Sequence, residues 1–196
     1  MTYVRIKMQI DKDTQILIDE RLKNNAPALE SFTPQELRAL RAKMAETPLE
    51  LRVDISDVED LSVKGTLGDI PIRKYFNSST SDPKHKTSPL IIYFHGGGFV
   101  MGDLESHDLV CRHLCKEAKA TIIAVDYKLA PEHKFPAPVI DTKDAITKIL
   151  ERAEEFNFDP NKVILCGDSA GGTLATVGTI MSRDNVIPKV HGQILV

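Results

Sequence analysis

An α/β fold with a mostly parallel central sheet is the architecture this sequence predicts, and three observations predict it. Continuous apolar runs at Leu90–Phe94, Thr121–Val125 and Val163–Cys166 have the composition of strands buried on both faces. Between and after them lie segments with apolar residues at helical spacing, and strands alternating with helices become parallel neighbours through helical crossovers. Ahead of them, around Gly65 and Gly68, apolar residues recur at period two, which gives the sheet an antiparallel start.

Taken in order, Asp13 to Lys23 reads as a helix, and Thr33-Pro34-Gln35-Glu36 as the start of a second. Thr33 caps, Pro34 suits the first turn and Glu36 completes a capping box. Leu37, Leu40 and Met44 form its apolar stripe, and Pro48 stops it. Residues 1–50 are therefore expected to form a helical cap or lid segment, and 51–196 the α/β core. Leu61 and Val63, then Ile70, Ile72, Lys74 and Phe76, alternate as two antiparallel strands. Asn77 to Pro89 is polar and reads as a surface loop. Leu104 to Ala118 reads as a helix, and the next carries Ile146, Ile149, Leu150 and Ala153 on one face. Leu174, Val177, Gly178 and Met181 mark a further helix, and Gly192–Val196 a last strand.

Composition removes several function classes. A formal net charge of −3 leaves no basic surplus, so nucleic acid is not an expected partner. No apolar run has the length to span a membrane. Arg5 and Lys7 interrupt the first ten residues, which do not read as a signal peptide. The three cysteines cannot all pair. Cys111 and Cys115 lie one helical turn apart and Cys166 sits in a strand, so reduced, buried thiols in a cytoplasmic protein are expected.

Two stretches carry chemistry. Gly167-Asp168-Ser169-Ala170-Gly171 lies between a buried strand and a helix, the context of a nucleophile elbow. Such a turn strains the serine backbone and leaves no room for side chains two residues to either side, the places of Gly167 and Gly171. The amide of Ala170, opening the helix, then points to where a negative oxygen would form. His95-Gly96-Gly97-Gly98-Phe99 follows the strand ending at Phe94. Its glycines let the main chain approach a substrate, and the amides of Gly97 and Gly98 join Ala170 as a three-donor oxyanion hole. A phosphate-binding loop would need a helix N-terminus directly after it and usually a lysine; Phe99, Val100 and Met101 follow instead.

With Asp126-Tyr127-Lys128-Leu129-Ala130-Pro131-Glu132-His133, these motifs resemble the signature series of the hormone-sensitive-lipase family of α/β-hydrolases, in the family's order. The resemblance extends over the whole chain, with the helical N-terminus matching the family's cap region. It implies the α/β-hydrolase fold and a serine carboxylic-ester hydrolase of esterase or lipase type acting on a small-molecule ester. Ser169 is then the nucleophile, with Gly97, Gly98 and Ala170 holding the oxyanion. His95 matches the motif histidine, a support for the glycine loop and not the base. Gly96, Gly167, Asp168 and Gly171 are supporting residues as well. No cofactor and no metal is expected.

Serine needs an acid and a base, which in α/β-hydrolases follow it in that order. After Ser169 the only acid is Asp184 and the only histidine His191, both expected at the end of the sheet away from the serine. His85, His107, His113 and His133 read as surface or supporting residues, with His107 the one to test as a stand-in base. The family places acid and base after two further strands. The expectation is thus a C-terminally truncated hydrolase whose activity alone is absent or residual. Gln193–Val196 would then be an uncovered edge strand, prone to self-association or to completion by another chain. The competing reading is a non-catalytic relic or small-ligand-binding module. A nucleotide-binding domain lacks its Gly-x-Gly-x-x-Gly turn.

Overall fold

The computed structural model describes residues 10–24, 27–28, 31–44, 51–78 and 87–196. The N-terminal segment 1–9, the helix stop at Pro48, most of the polar loop with His85, and the side chain of Met44 lie outside the described residues. Contacts divide the chain into two compact units, Met1–Thr33 and Pro34–Val196. In the first, helix α1 (Lys12–Lys23) starts at Asp11, whose carboxylate accepts hydrogen bonds from the amides of Asp13 and Thr14. Such a cap satisfies donors that a helix start otherwise leaves unpaired.

The second unit runs α2 (Pro34–Met44), β1 (Asp57–Gly65), β2 (Gly68–Phe76), β3 (Ser88–Phe94), α3 (Asp108–Ala118), β4 (Thr121–Val125), α4 (Ala137–Leu150), α5 (Ala153–Phe156), β5 (Phe158–Gly167), α6 (Ala170–Arg183) and β6 (Gly192–Leu195). The six strands form one sheet in the order β1-β2-β4-β3-β5-β6. β1 and β2 pair antiparallel through a tight turn, β2 pairs antiparallel with β4, and the remaining pairs are parallel. The mixed sheet with an antiparallel start is as the sequence predicts.

Both faces of the sheet are covered, which explains the unbroken apolar strands. Alternate residues Leu90, Ile92 and Phe94 of β3, with Ile123 and Val125 of β4, pack with Ile146 and Ile149 of α4 and Leu174 of α6. The intervening Ile91, Tyr93, Ile122 and Ala124 pack with Cys111 and Cys115 of α3. Each fully buried aliphatic side chain here contributes about 1.5–3 kcal/mol. All three cysteines are free and buried.

Three expectations need correction. In β2 the alternation through Lys74 and Phe76 fails, because Tyr75 is the fully buried residue and packs on the α3 face. α3 starts at Asp108 and not Leu104: Asp103 and Ser106 close a turn on each other's backbone amides at 3.0 and 2.7 Å. α4 stops at Leu150, so Ala153 opens the separate short α5.

Candidate active site

β3 and β5 are parallel neighbours, and their last residues pair, Phe94 with Gly167. The glycine loop after β3 and the serine turn after β5 therefore leave the sheet side by side. Ser169, exposed, has φ 50° and ψ −115°, a conformation that costs a non-glycine residue on the order of 1–3 kcal/mol. It stands at the N-cap of α6, yet its side chain makes no capping bond. Instead its amide donates to Val196 O at 2.9 Å and its carbonyl accepts from the Thr173 amide at 3.1 Å. A Cβ on Gly171 would strike the carbonyl oxygens of Phe94 and His95, and one on Gly167 would strike Gly171 backbone. The strand and helix meet too closely there for any side chain.

Gly97, Gly98 and Phe99 have φ of 124°, 63° and 62°, three successive residues in the left-handed region. The Gly97 carbonyl accepts from the amides of Val100 and Met101, closing the turn. Among the described residues, the amides of Gly97, Gly98 and Ala170 have no acceptor. Asp168 ties the two loops together. Its Oδ1 accepts from the Gly96 amide at 2.8 Å and the Tyr93 hydroxyl at 2.7 Å, with His107 Nε2 3.5 Å away. Burial alone would raise the Asp168 pKa, but the bonds from His107, Tyr93 and Gly96 outweigh it and hold the group well below the usual carboxylate range.

His95 is buried at 2% exposure, stacked on Tyr127 with ring centroids 4.4 Å apart. The Tyr127 hydroxyl donates to His95 O at 2.6 Å. Nδ1 of His95 lies 2.8 Å from Gly96 O and so carries the proton, while Nε2 is 3.9 Å from Asp126 Oδ1. Burial pushes the His95 pKa down to about 4, leaving the ring neutral at physiological pH. The opposite holds for Asp126, raised to about 6 by burial and then by Asp103, with Arg73 acting the other way. Tyr93 does not stand out in the sequence, since it belongs to a buried strand, whereas Asp126 and Tyr127 open the motif after β4 without their contacts to His95 being readable.

The two residues available as acid and base after Ser169 are not brought to it. Asp184 caps the far end of the 14-residue α6, about 20 Å along the helix, and pairs with Arg183 at 2.8 Å. His191 exchanges hydrogen bonds with Val163, four residues before the end of β5, about 13 Å down the strand. His107 is committed elsewhere: Nδ1 lies 2.9 Å from Ser106 Oγ, and Nε2 faces Asp168. Its geometry is that of a support beneath the loop. Among the described residues no cluster of three or more His, Cys, Asp or Glu is arranged to hold a metal.

Two cavities flank these loops. One of about 420 Å³ is lined by Phe99, Ala130, Phe135, Val139, Thr173 and Leu174, and is almost wholly apolar. Thr173 is bonded to the Ser169 carbonyl, so this space adjoins the serine turn. The other, about 480 Å³, has the charged side chains of Arg38, Asp103, Asp126, Lys128 and Glu132 among its walls.

An exposed serine on a strained strand-to-helix turn, beside a glycine loop on the neighbouring parallel strand, defines the α/β-hydrolase class of site. Residues 91–196 match the family model described as the alpha/beta hydrolase fold, and the chain belongs to that family, in its hormone-sensitive-lipase-type group. It is similar to the esterase LipI of Mycobacterium tuberculosis, 37% identical over 159 residues, which is 81% of this chain and 49% of that one. The carboxylic ester hydrolase LipN of the same organism is 43% identical over 129 residues, 65% of this chain and 33% of its own. Among solved structures, an esterase of Pyrobaculum calidifontis is similar with a TM-score of 0.79 and 35% identity, covering 89% of this chain and 56% of that one. The chain spans about half the length of LipI and a third of that of LipN. No helix among the described residues is long and apolar enough to cross a membrane.

Proposed function

We propose that this chain carries the nucleophile and oxyanion half of a serine carboxylic-ester hydrolase. Ser169 Oγ attacks the ester carbonyl carbon, its proton passes to a base, and the carbonyl electrons move onto oxygen. The amides of Gly97, Gly98 and Ala170 bind that oxyanion, each donor being worth about 3 kcal/mol of transition-state stabilisation. Collapse expels the alcohol and leaves an acyl-serine, which water hydrolyses. His95, Gly96, Gly167, Asp168 and Gly171 support the two loops. The apolar cavity beside Thr173 fits the hydrophobic part of a small-molecule ester. In this reading the acid and histidine come from outside residues 1–196, and these residues alone give only a residual rate. The observation that supports the proposal is the pairing of Phe94 with Gly167, from which the glycine loop and the turn carrying the exposed Ser169 leave the sheet as neighbours.

A binding module of the same fold is the second reading, favoured by the distance of Asp184 and His191 from Ser169. Intact mass before and after a fluorophosphonate probe separates the two. An adduct on Ser169 that is lost in Ser169→Ala supports the hydrolase. A folded protein that carries the acid and histidine as well, and still forms no adduct, supports the binding module.

A further inference from the structure

Phe99, a non-glycine residue at φ 62°, holds a left-handed conformation that persists only where its surroundings over-determine it, while Gly97 and Gly98 before it adopt positive φ freely and leave the loop easily displaced. One side chain supplies a restraint. Arg38, on α2, donates from Nε to Val100 O at 2.7 Å and from Nη2 to Ala130 O at 2.8 Å. Its fork also meets both carboxylate oxygens of Glu132, at 2.9 and 2.8 Å. The Ala130 amide in turn donates to Phe99 O at 2.8 Å, and the Val100 amide to Gly97 O at 3.1 Å. These bonds join Arg38 to the glycine loop by two routes, through Val100 and through Ala130. Phe99 and Ala130 are also walls of the apolar cavity.

We infer that Arg38 is a positioning residue: α2 sets the geometry of the oxyanion loop through its guanidinium. The role rests on the hydrolase reading for its catalytic consequence, but not for the restraint itself. The ion pair with Glu132 is half-exposed and contributes little alone; the two carbonyl bonds do the holding. Lysine keeps the charge but cannot fork to two carbonyls and a carboxylate together.

The test compares Arg38→Lys, Arg38→Gln and Glu132→Gln with the unmodified protein, by amide exchange and by turnover of p-nitrophenyl butyrate. Both Arg38 variants should exchange faster across 96–104 and 128–134 and unchanged in β3, β5 and α6. Their kcat should fall about tenfold or more with KM nearly constant, because a misplaced donor weakens the transition state and not ester binding. Glu132→Gln, which keeps both carbonyl bonds, should stay close to the unmodified protein in both readouts. Unchanged exchange in both Arg38 variants overturns the restraint, whatever the activity. Faster exchange with unaltered kcat overturns the positioning role. Residues 1–196 without turnover fit a base that lies outside them, and exchange alone then decides whether Arg38 holds the loop. Should Arg38→Gln fail to fold, Arg38→Lys carries the comparison.

Discussion

His95 and Asp126 face each other with ionisation equilibria displaced in opposite senses, and their pH dependence follows. His95 titrates near 4 in the fold against an ordinary 6.5, so between those values the unfolded chain binds the extra proton and acidification destabilises. For Asp126, raised from 3.8 to about 6, the fold holds its proton longer, and acidification through that range stabilises. The two slopes oppose each other over nearly the same window. Asp126→Asn should expose the His95 contribution: urea denaturation should show stability falling from pH 6.5 to 4 more steeply than in the parent. At neutral pH the variant should be no less stable, because a partly desolvated carboxylate charge has been removed. Equal slopes would show that the pair is not opposed. Asp168, held low by its hydrogen bonds, adds stability that is lost only below the usual carboxylate range.

At the scale of elements, the glycine loop shows how sequence and structure divide the information. Its position after a buried strand was readable from the sequence, but the separate constraints on its three adjacent glycines were not. A Cβ on Gly97 would meet the Met101 carbonyl, whereas one on Gly98 would meet nothing within 4 Å. Gly97→Ala should therefore lower stability, on the order of 1–3 kcal/mol in thermal melts, and lose the loop with it. Gly98→Ala should fold with only the milder cost of its φ of 63° and still disturb turnover. It is the cleaner test of the oxyanion assignment, and unaltered turnover in it would count against that assignment. The buried strands were legible because a sheet covered on both faces leaves no polar positions to confuse the pattern. The same double covering hid Tyr75, whose burial breaks the period-two rule for one-sided strands. The Arg38 contacts were not legible at all, since their partners lie 62 to 94 residues away along the chain.

Across the whole molecule the sheet is asymmetric in its protection. β1 closes one edge with charged side chains, including Lys64 and Asp60 in ion pairs with β2. β6 forms the other edge, with Ile194, Leu195 and Val196 exposed at 41%, 50% and 81%. Unpaired backbone beside exposed aliphatic side chains invites strand addition. Sedimentation velocity should show concentration-dependent association of these 196 residues, reduced by Ile194→Lys. A monodisperse parent at all concentrations would refute it. The zipper between β5 and β6 also ends at the serine turn: the Val196 amide donates to Gly167 O, and the Ser169 amide to Val196 O. A single backbone proton, that of Ser169, is thus shared between fraying of the outermost strand and the shape of the turn that presents the hydroxyl. Fraying of β6 would release that amide at the residue proposed as nucleophile, and its exchange with solvent is the gauge of it.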